Sequence, residues 1–480
     1  MSGLEDSVNR YDRQERIEGW QQRRLEESRI AIIGSGPLAQ YTSLAAGAMG
    51  FGCIELYGRG SIDGVDGNVA LEGDGSSYAG STKDLIAKIN PEITVRGLSL
   101  DMDREENCRV MSRPDLIIEG THDVASKVNV LEYGAHEGVP VLSAMAMPGV
   151  SAVGCRVPGR SEDNRLIDNL LYTEASGKDQ DHSESMIAAA VCVEEARKIR
   201  MPIGREKELE DIVVHNMAAE SRGGFDVMPR AEPGSLYGKT VVMVGAGALG
   251  NFLGLDLALS GVRRLYIIDD DEVESTNLNR QILYYDSVGM GKAEALASKL
   301  SHIAPLCECI VMPERVGPGK EDMLMELGAD LLVDTVDNNK SRAYLNYVSL
   351  RSGIPFLSGG TSYDGGQVIL SVPGQTACLN CQADIDRISL EAYTPHQSCI
   401  YAPQPSVITS NQLVAGLMGS EARALLSSSD GGHLTKVLRY SSQETMRLGS
   451  LPSAGPCGCH EDKGYLDGWM DRMRHLYEVS

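Results

Sequence analysis

Residues 240–250 read TVVMVGAGALG, and residues 29–39 read RIAIIGSGPLA. In each, a short run of β-branched and aliphatic residues leads straight into glycines and then into a small-residue helical pattern. That is how a buried parallel strand enters a helix through a tight turn. The segments further out repeat as well. CIELYG at 53–58 answers RLYIID at 264–269, DLIIEG at 115–120 answers DLLVDTVD at 330–337, and VPVLSAMA at 139–146 answers IPFLSGG at 354–360. The offset stays at about 210 residues, which predicts an internal duplication of a doubly wound α/β domain. Two tandem Rossmann-like units are expected, over 1–205 and 235–480. The polar stretch 206–234, with Pro233 and Gly234 near its end, is expected as the connector.

Composition narrows the function. The 480 residues are 42% hydrophobic and 23% charged, the balance of a soluble globular chain with more than one domain. No apolar run approaches the ~20 residues of a membrane span. The opening MSGLEDSVNRYDRQERIEGWQQRR has no hydrophobic core of a secretory signal, so a cytoplasmic location is expected. A net charge of -23 argues against nucleic acid, whose phosphates need clustered Lys and Arg, and against an anionic membrane. It suits a basic protein partner through steering, and solubility alone accounts for it equally well. Eleven cysteines without a signal do not form a disulfide framework.

The two copies carry different chemistry. In the second, Gly245, Gly247 and Gly250 complete G-x-G-x-x-G, whose backbone N–H groups can cradle phosphate, and Asp269 ends the next strand, where a carboxylate can accept from ribose hydroxyls. In the first, Ala39 replaces the third glycine, Pro37 follows the second, and Tyr57-Gly58 stands in place of the carboxylate. A glycine loop with an acidic residue suggests NAD. The following DDEVESTNLNRQILYYDSVGMGKAEA argues otherwise. It brings Asn277, Arg280, Gln281 and Lys292 beside the loop, and two added cations suit a triphosphate that loses pyrophosphate. Asp337, read as the end of the next strand, is placed to hold Mg²⁺.

The ordered set RYDRQ, GAGALG, D-D-D-x-V-x-x-x-N-L-N-R-Q, G-x-G-K-A, V-D-N and C-x-x-C resembles the ThiF/MoeB/HesA superfamily, the activating enzymes of ubiquitin-like and sulfur-carrier proteins. The resemblance covers about 235–425 closely and the first copy in outline. It implies tandem adenylation domains forming an intramolecular pseudo-dimer, with ATP and Mg²⁺ bound in the second. Asp269 would hold the ribose, with Asp271 in the same acidic run. Arg280 and Lys292 would hold the phosphates, with Asn277 and Gln281 beside them, and Asp337 would position magnesium. RYDRQ resembles the segment that crosses to the opposite nucleotide site, which would carry Arg13 there. In the first copy Lys83 and Asp123 are expected where Lys292 and Asp337 stand, but NLNRQ is missing, so an inactive, arginine-donating half is expected.

Cysteines add two expectations. Cys378 and Cys381 form C-x-x-C, and Cys457-Gly458-Cys459-His460 follows much later. Two close ligand pairs, distant in sequence, suit structural Zn²⁺, with Cys459 or His460 as fourth ligand and Cys459 favoured. Cys399 lies in TPHQSCIYAPQP, in a position similar to the crossover region where activating enzymes keep their thioester cysteine. Its flanking prolines suggest an exposed loop, and His396 stands three residues before it. The alternative is a buried core thiol.

The expected reaction is ATP-dependent adenylation of the C-terminal carboxylate of a ubiquitin-like protein ending in glycine. Capture on Cys399 and transfer to a conjugating enzyme follow. No ubiquitin-like module is visible after 440, so such an enzyme would dock elsewhere. The amphipathic tail KGYLDGWMDRMRHLYEV is a candidate docking helix, or a helix packed on its own core. The compact two-copy plan resembles bacterial conjugation systems of antiviral defence, as a monomer or homodimer. The competing accounts are activation of a sulfur carrier or peptide precursor without an enzyme thioester, and a non-catalytic subunit of an activating complex.

Overall fold

Arg29–Ile33 and Thr240–Val244 become the central strands, β1 and β8, of two separate sheets. Past its first residue each is buried throughout, as parallel strands covered by helices must be. The computed structural model describes residues 10–60, 77–159, 181–219, 221–223, 235–391, 404–427, 437–451 and 455–478.

In the first half β1 lies between β2 (Cys53–Tyr57) and β4 (Leu116–Glu119), with β3 (Thr94–Leu98) outside β2 and β5 (Val141–Met147) beyond β4, all parallel. Antiparallel β6 (Val150–Arg156) and β7 (Val213–Asn216) complete the order 3-2-1-4-5-6-7. In the second half β9 (Arg264–Ile268), β10 (Glu308–Met312), β11 (Leu331–Asp334) and β12 (Phe356–Ser362) are parallel to β8. Antiparallel β13 (Gly365–Ser371), β14 (Val437–Ser441) and β15 (Arg447–Leu451) follow, giving 10-9-8-11-12-13-14-15. The second sheet thus repeats the first and adds one strand. The predicted duplication is present, strand for strand.

Short α1 (Asp12–Glu15) precedes β1, α2 (Pro37–Met49) follows it, α3 (Tyr78–Ile89) leads to β3, α4 (Val124–Glu137) joins β4 to β5, and α5 (His182–Arg200) lies between β6 and β7. In the second half α6 (Ala248–Leu259) follows β8, α7 (Lys292–Ile303) leads to β10, α8 (Asn339–Ser352) joins β11 to β12, and α9 (Ile408–Ser427) lies between β13 and β14. The last helix is α10 (Lys463–Glu478). No helix among the described residues is long and apolar enough to cross a membrane.

The halves meet through α5 and α9, equivalent helices that pack on each other and on their own glycine-loop helices, α2 and α6. Both are buried along nearly their whole length, with Met186, Ile187, Leu413 and Leu417 in one continuous core. Close approach requires glycine: a Cβ on Gly416 would come within 2.7 Å of Ser183 O, and one on Gly419 within 1.5 Å of Asp256 Oδ2. Polar groups register the contact. Ser183 donates to Asp256 (2.6 Å), Thr409 to Glu194 (2.8 Å), Ser420 to Glu184 (3.0 Å), and Arg423 pairs with Asp181. This is the intramolecular pseudo-dimer.

The stretch 206–234 is more than a connector. It supplies β7, and Ser221 O accepts from Ser450 N at 2.9 Å while Lys207 N donates to Glu444 O at 2.8 Å. Its described residues, 206–219 and 221–223, thus tie the margin of one sheet to the margin of the other.

Burial pushes the Asp256 carboxyl up to about 7, with Asp181 and Glu184 pushing the same way and Arg423 and Ser183 opposing. An unfolded aspartate ionises near about 3.9. Between about pH 4 and 7 the folded chain therefore keeps a proton that the unfolded chain has lost, and stability falls as pH rises through that window. Asp256→Asn keeps an acceptor for Ser183. It is expected to flatten this slope, gaining at most about 4 kcal/mol at about pH 8, as measured by urea unfolding at the two ends of the window.

Candidate active site

The second glycine loop closes when Gly245 N donates to Ile268 O at 2.9 Å. Gly245 has φ of +102°, and a Cβ there would lie 2.8 Å from Thr335 Oγ1. A Cβ on Gly250 would lie 2.2 Å from Gly245 O, whereas one on Gly247 would meet nothing. The first and third glycines therefore serve turn and packing, and the second leaves the backbone open to a ligand. Gly247 is the N-cap of α6 and provides no side-chain cap, so the first N–H groups of the helix remain available to an anion.

Three residues that sequence reasoning missed fasten this loop. Tyr284 donates from its hydroxyl to Ala246 O at 2.6 Å, and Thr335 from Oγ1 to Gly245 O at 2.6 Å. Asn251 accepts from Leu283 N at 3.1 Å, joining α6 to the turn after NLNRQ. All three lie inside or beside the quoted stretches, yet their partners could not be read from them.

Asp269 follows β9 directly. It accepts from Ala246 N (2.6 Å) and Asp271 N (2.9 Å), and burial raises its pKa against these bonds and the Lys292 charge. Lys292 opens α7 and pairs with the exposed Asp271 at 2.6 Å. Asn277 accepts from Glu274 N at 3.0 Å inside a reciprocal capping box, so its oxygen shapes the turn. Arg280 is buried and donates to Thr276 O (2.9 Å) and Asn279 Oδ1 (3.0 Å). Gln281 Oε1 and Asn279 Nδ2 are buried without hydrogen-bond partners among the described residues. Asp337 is exposed and lies beyond the end of β11, which stops at Asp334, just before the α8 N-cap Asn338. Its predicted place at the strand end is corrected accordingly.

Arg13 belongs to α1 of the first half but lies near Arg280 of the second. Burial, and then the Arg13 charge, push the Arg280 guanidinium down to about 10, against Glu274, Asp12 and Asp337. Arg13 Nε is buried and unpartnered among the described residues. Its backbone carbonyl accepts from Ser406 N at 3.2 Å, and its Nη1 lies 3.5 Å from Gln404 O. Two guanidiniums close enough for one charge to act on the other, with orphaned polar atoms between β9 and α7, fit a polyanion such as a nucleotide triphosphate.

The first half has lost more than its sequence suggested. Gly58 takes the place of Asp269, since Gly34 N bonds Tyr57 O at 2.8 Å as Gly245 N bonds Ile268 O. Asp123 is the N-cap of α4 and accepts from Ser126 N, matching Asn338 and not Asp337; His122 stands at the position of Asp337. Lys83 lies well inside α3 and pairs with Asp84 at 3.3 Å, whereas Lys292 opens its helix. The two supposed survivors are helix-local residues.

The ThiF family matches this chain twice, at residues 11–193 and 225–459. The chain belongs to the ThiF family. Over 337 residues it is 27% identical to ubiquitin-like modifier-activating enzyme 5 of Arabidopsis thaliana, covering 63% of this chain and 75% of that one. It is 32% identical over 146 residues to the adenylyltransferase and sulfurtransferase UBA4 of Yarrowia lipolytica, covering 30% of this chain and only 37% of that protein. The solved structure of E. coli MccB with MccA-N7isoASN aligns over 46% of this chain and 66% of that one at 24% identity, with a TM-score of 0.39.

This ThiF chain also gathers its late cysteines. The sulfurs of Cys378, Cys381, Cys457 and Cys459 lie within 4.8 Å of one another, and those of Cys381 and Cys459 are 3.6 Å apart. Zn–S bonds of about 2.3 Å in a tetrahedron put sulfurs about 3.8 Å apart. The group could therefore hold zinc with four thiolates. His460 faces Glu461 at 3.6 Å and is not part of the cluster, which makes Cys459 the fourth sulfur. Metal analysis is expected to find about one zinc per chain. Replacing Cys378 and Cys381 by serine should release it and lower the melting temperature by about 10 °C or more; a well-folded metal-free wild type would contradict this. Cys399 and His396 lie outside the described residues.

Proposed function

We propose that the chain adenylates the C-terminal carboxylate of a ubiquitin-like protein ending in glycine. One carboxylate oxygen attacks the α-phosphorus of ATP, the bond to the β-phosphate oxygen breaks, and pyrophosphate leaves with its electron pair. Arg280, Lys292 and Arg13 neutralise the departing charge, Asp269 orients the ribose, and Asp337 would hold Mg²⁺, which would supply further charge neutralisation. The Cys399 thiolate then attacks the acyl carbonyl and displaces AMP. A conjugating enzyme's thiol takes the acyl group from Cys399, restoring the thiol.

The observation carrying this reading is the approach of Arg13, from the half without a complete loop, to Arg280 beside the complete one. The Arg13 charge adds to that of the buried Arg280, and such a concentration of cations suits an anionic ligand. The Arabidopsis relative's name supports the ubiquitin-like substrate. The Yarrowia relative's name supports a second reading, activation of a sulfur carrier. Cys399→Ala separates them. It should leave ATP–pyrophosphate exchange within about twofold of wild type and abolish a reducible acyl–enzyme band on non-reducing gels. A band that survives the substitution would remove Cys399 from the pathway.

A further inference from the structure

The two halves share a second duplicated feature, a cation and carboxylate at the end of the fourth strand. β4 ends at Glu119 and β11 at Asp334, paired in register with Ser143 and Ser358. Four residues after the helix N-caps Asp123 and Asn338 come Lys127 and Arg342. Lys127 Nζ donates to Glu119 Oε2 at 2.5 Å and to Ala144 O at 2.8 Å. Arg342 Nε lies 3.3 Å from Asp334 Oδ1, and its Nη2 donates to Gly359 O at 2.8 Å. Ala144 and Gly359 each follow the registered serine, so the second acceptor is equivalent too.

What differs is the loop beyond the strand. In the first half it is held by the carboxylate: Glu119 Oε1 accepts from Thr121 N (2.7 Å) and Thr121 Oγ1 (2.5 Å). In the second half it is held by the cation: Arg342 Nη2 also donates to Val336 O at 2.8 Å. Val336 is the residue before Asp337. A lysine presents a single nitrogen, whereas the guanidinium fork reaches the strand end, β12 and the loop at once.

We propose that Arg342 is a positioning residue that fixes the Val336 carbonyl and thereby aims the Asp337 carboxylate at the nucleotide site. The inference rests on the adenylation reading for its kinetic consequence and on the Val336 contact alone for its structural one. Arg342 Nε and Nη2 are directed at protein acceptors.

Arg342→Lys gives the second half the first half's type of cation, opposite the shorter Asp334, and removes the reach to Val336. The variant should melt as the wild type does, exchange hydrogen faster at the amides of 336–338, require several-fold more Mg²⁺ for half-maximal ATP–pyrophosphate exchange, and turn over about tenfold or more slowly. Saturating Mg²⁺ should recover part of the rate. Unchanged amide protection at 336–338 would overturn the proposal, as would a rate loss with unaltered Mg²⁺ half-saturation. If the wild type shows no exchange activity, the adenylation reading fails, and amide protection still decides whether Arg342 holds the loop.

Discussion

Arg280→Ala is expected to reduce ATP–pyrophosphate exchange by about 100- to 1,000-fold, the usual loss when one preorganised charge is removed from a developing anion. Arg280 is a severe case because it is buried. Its guanidinium is held by Thr276 O and Asn279 Oδ1, both neutral acceptors, so the protein provides no full counter-charge in direct contact through these bonds. A side chain so largely withdrawn from water has its field on a phosphate screened less than a surface charge would. Asp337→Ala is expected to act as strongly for a different reason, since it removes a carboxylate for Mg²⁺ rather than a cation for phosphate. The two variants should differ in one respect: added metal ion should partly restore Asp337→Ala and leave Arg280→Ala unchanged. Wild-type exchange in both would mean that the reacting phosphates lie elsewhere.

Arg13→Ala should cost about 100-fold or more in exchange, although Arg13 and the Gly245 loop stand in opposite halves. An arginine supplied from another domain neutralises charge as pyrophosphate departs, much as a trans-acting finger does. The interface holds it in place. α5 and α9 are locked by buried polar bonds, and the backbone of Arg13 is tied to Ser406 just before α9. Arg13→Lys retains the charge with fewer donors and should recover part of the rate. Normal activity in Arg13→Ala would leave the first half as scaffold alone.

The strands and glycine loops were legible because buried parallel strands must be continuous and apolar, and because glycine is forced where Gly245 turns and Gly250 packs. β7 was hidden. VVHN is too short and too polar to stand out beside the charged run before it. Asp123 misled because a helix N-cap and a metal carboxylate use the same residue type, and only the capping bond to Ser126 N separates them. Asn277 was expected beside the phosphate ligands, and the capping of the turn that carries Arg280 by its oxygen was not foreseen. Tyr284, Thr335 and Arg342 act through backbone carbonyls brought together by the fold, which no local pattern encodes. The spacing of Lys127 and Arg342 from their N-caps was visible, but its meaning needed β5 and β12 beside them.

The central claim is a single nucleotide site in the second half, completed by the first. Calorimetric titration of the full chain with ATP and Mg²⁺ tests it most directly. The account predicts one site per chain, lost in Arg280→Ala and weakened in Arg13→Ala; two equivalent sites, or one site indifferent to both substitutions, would contradict it.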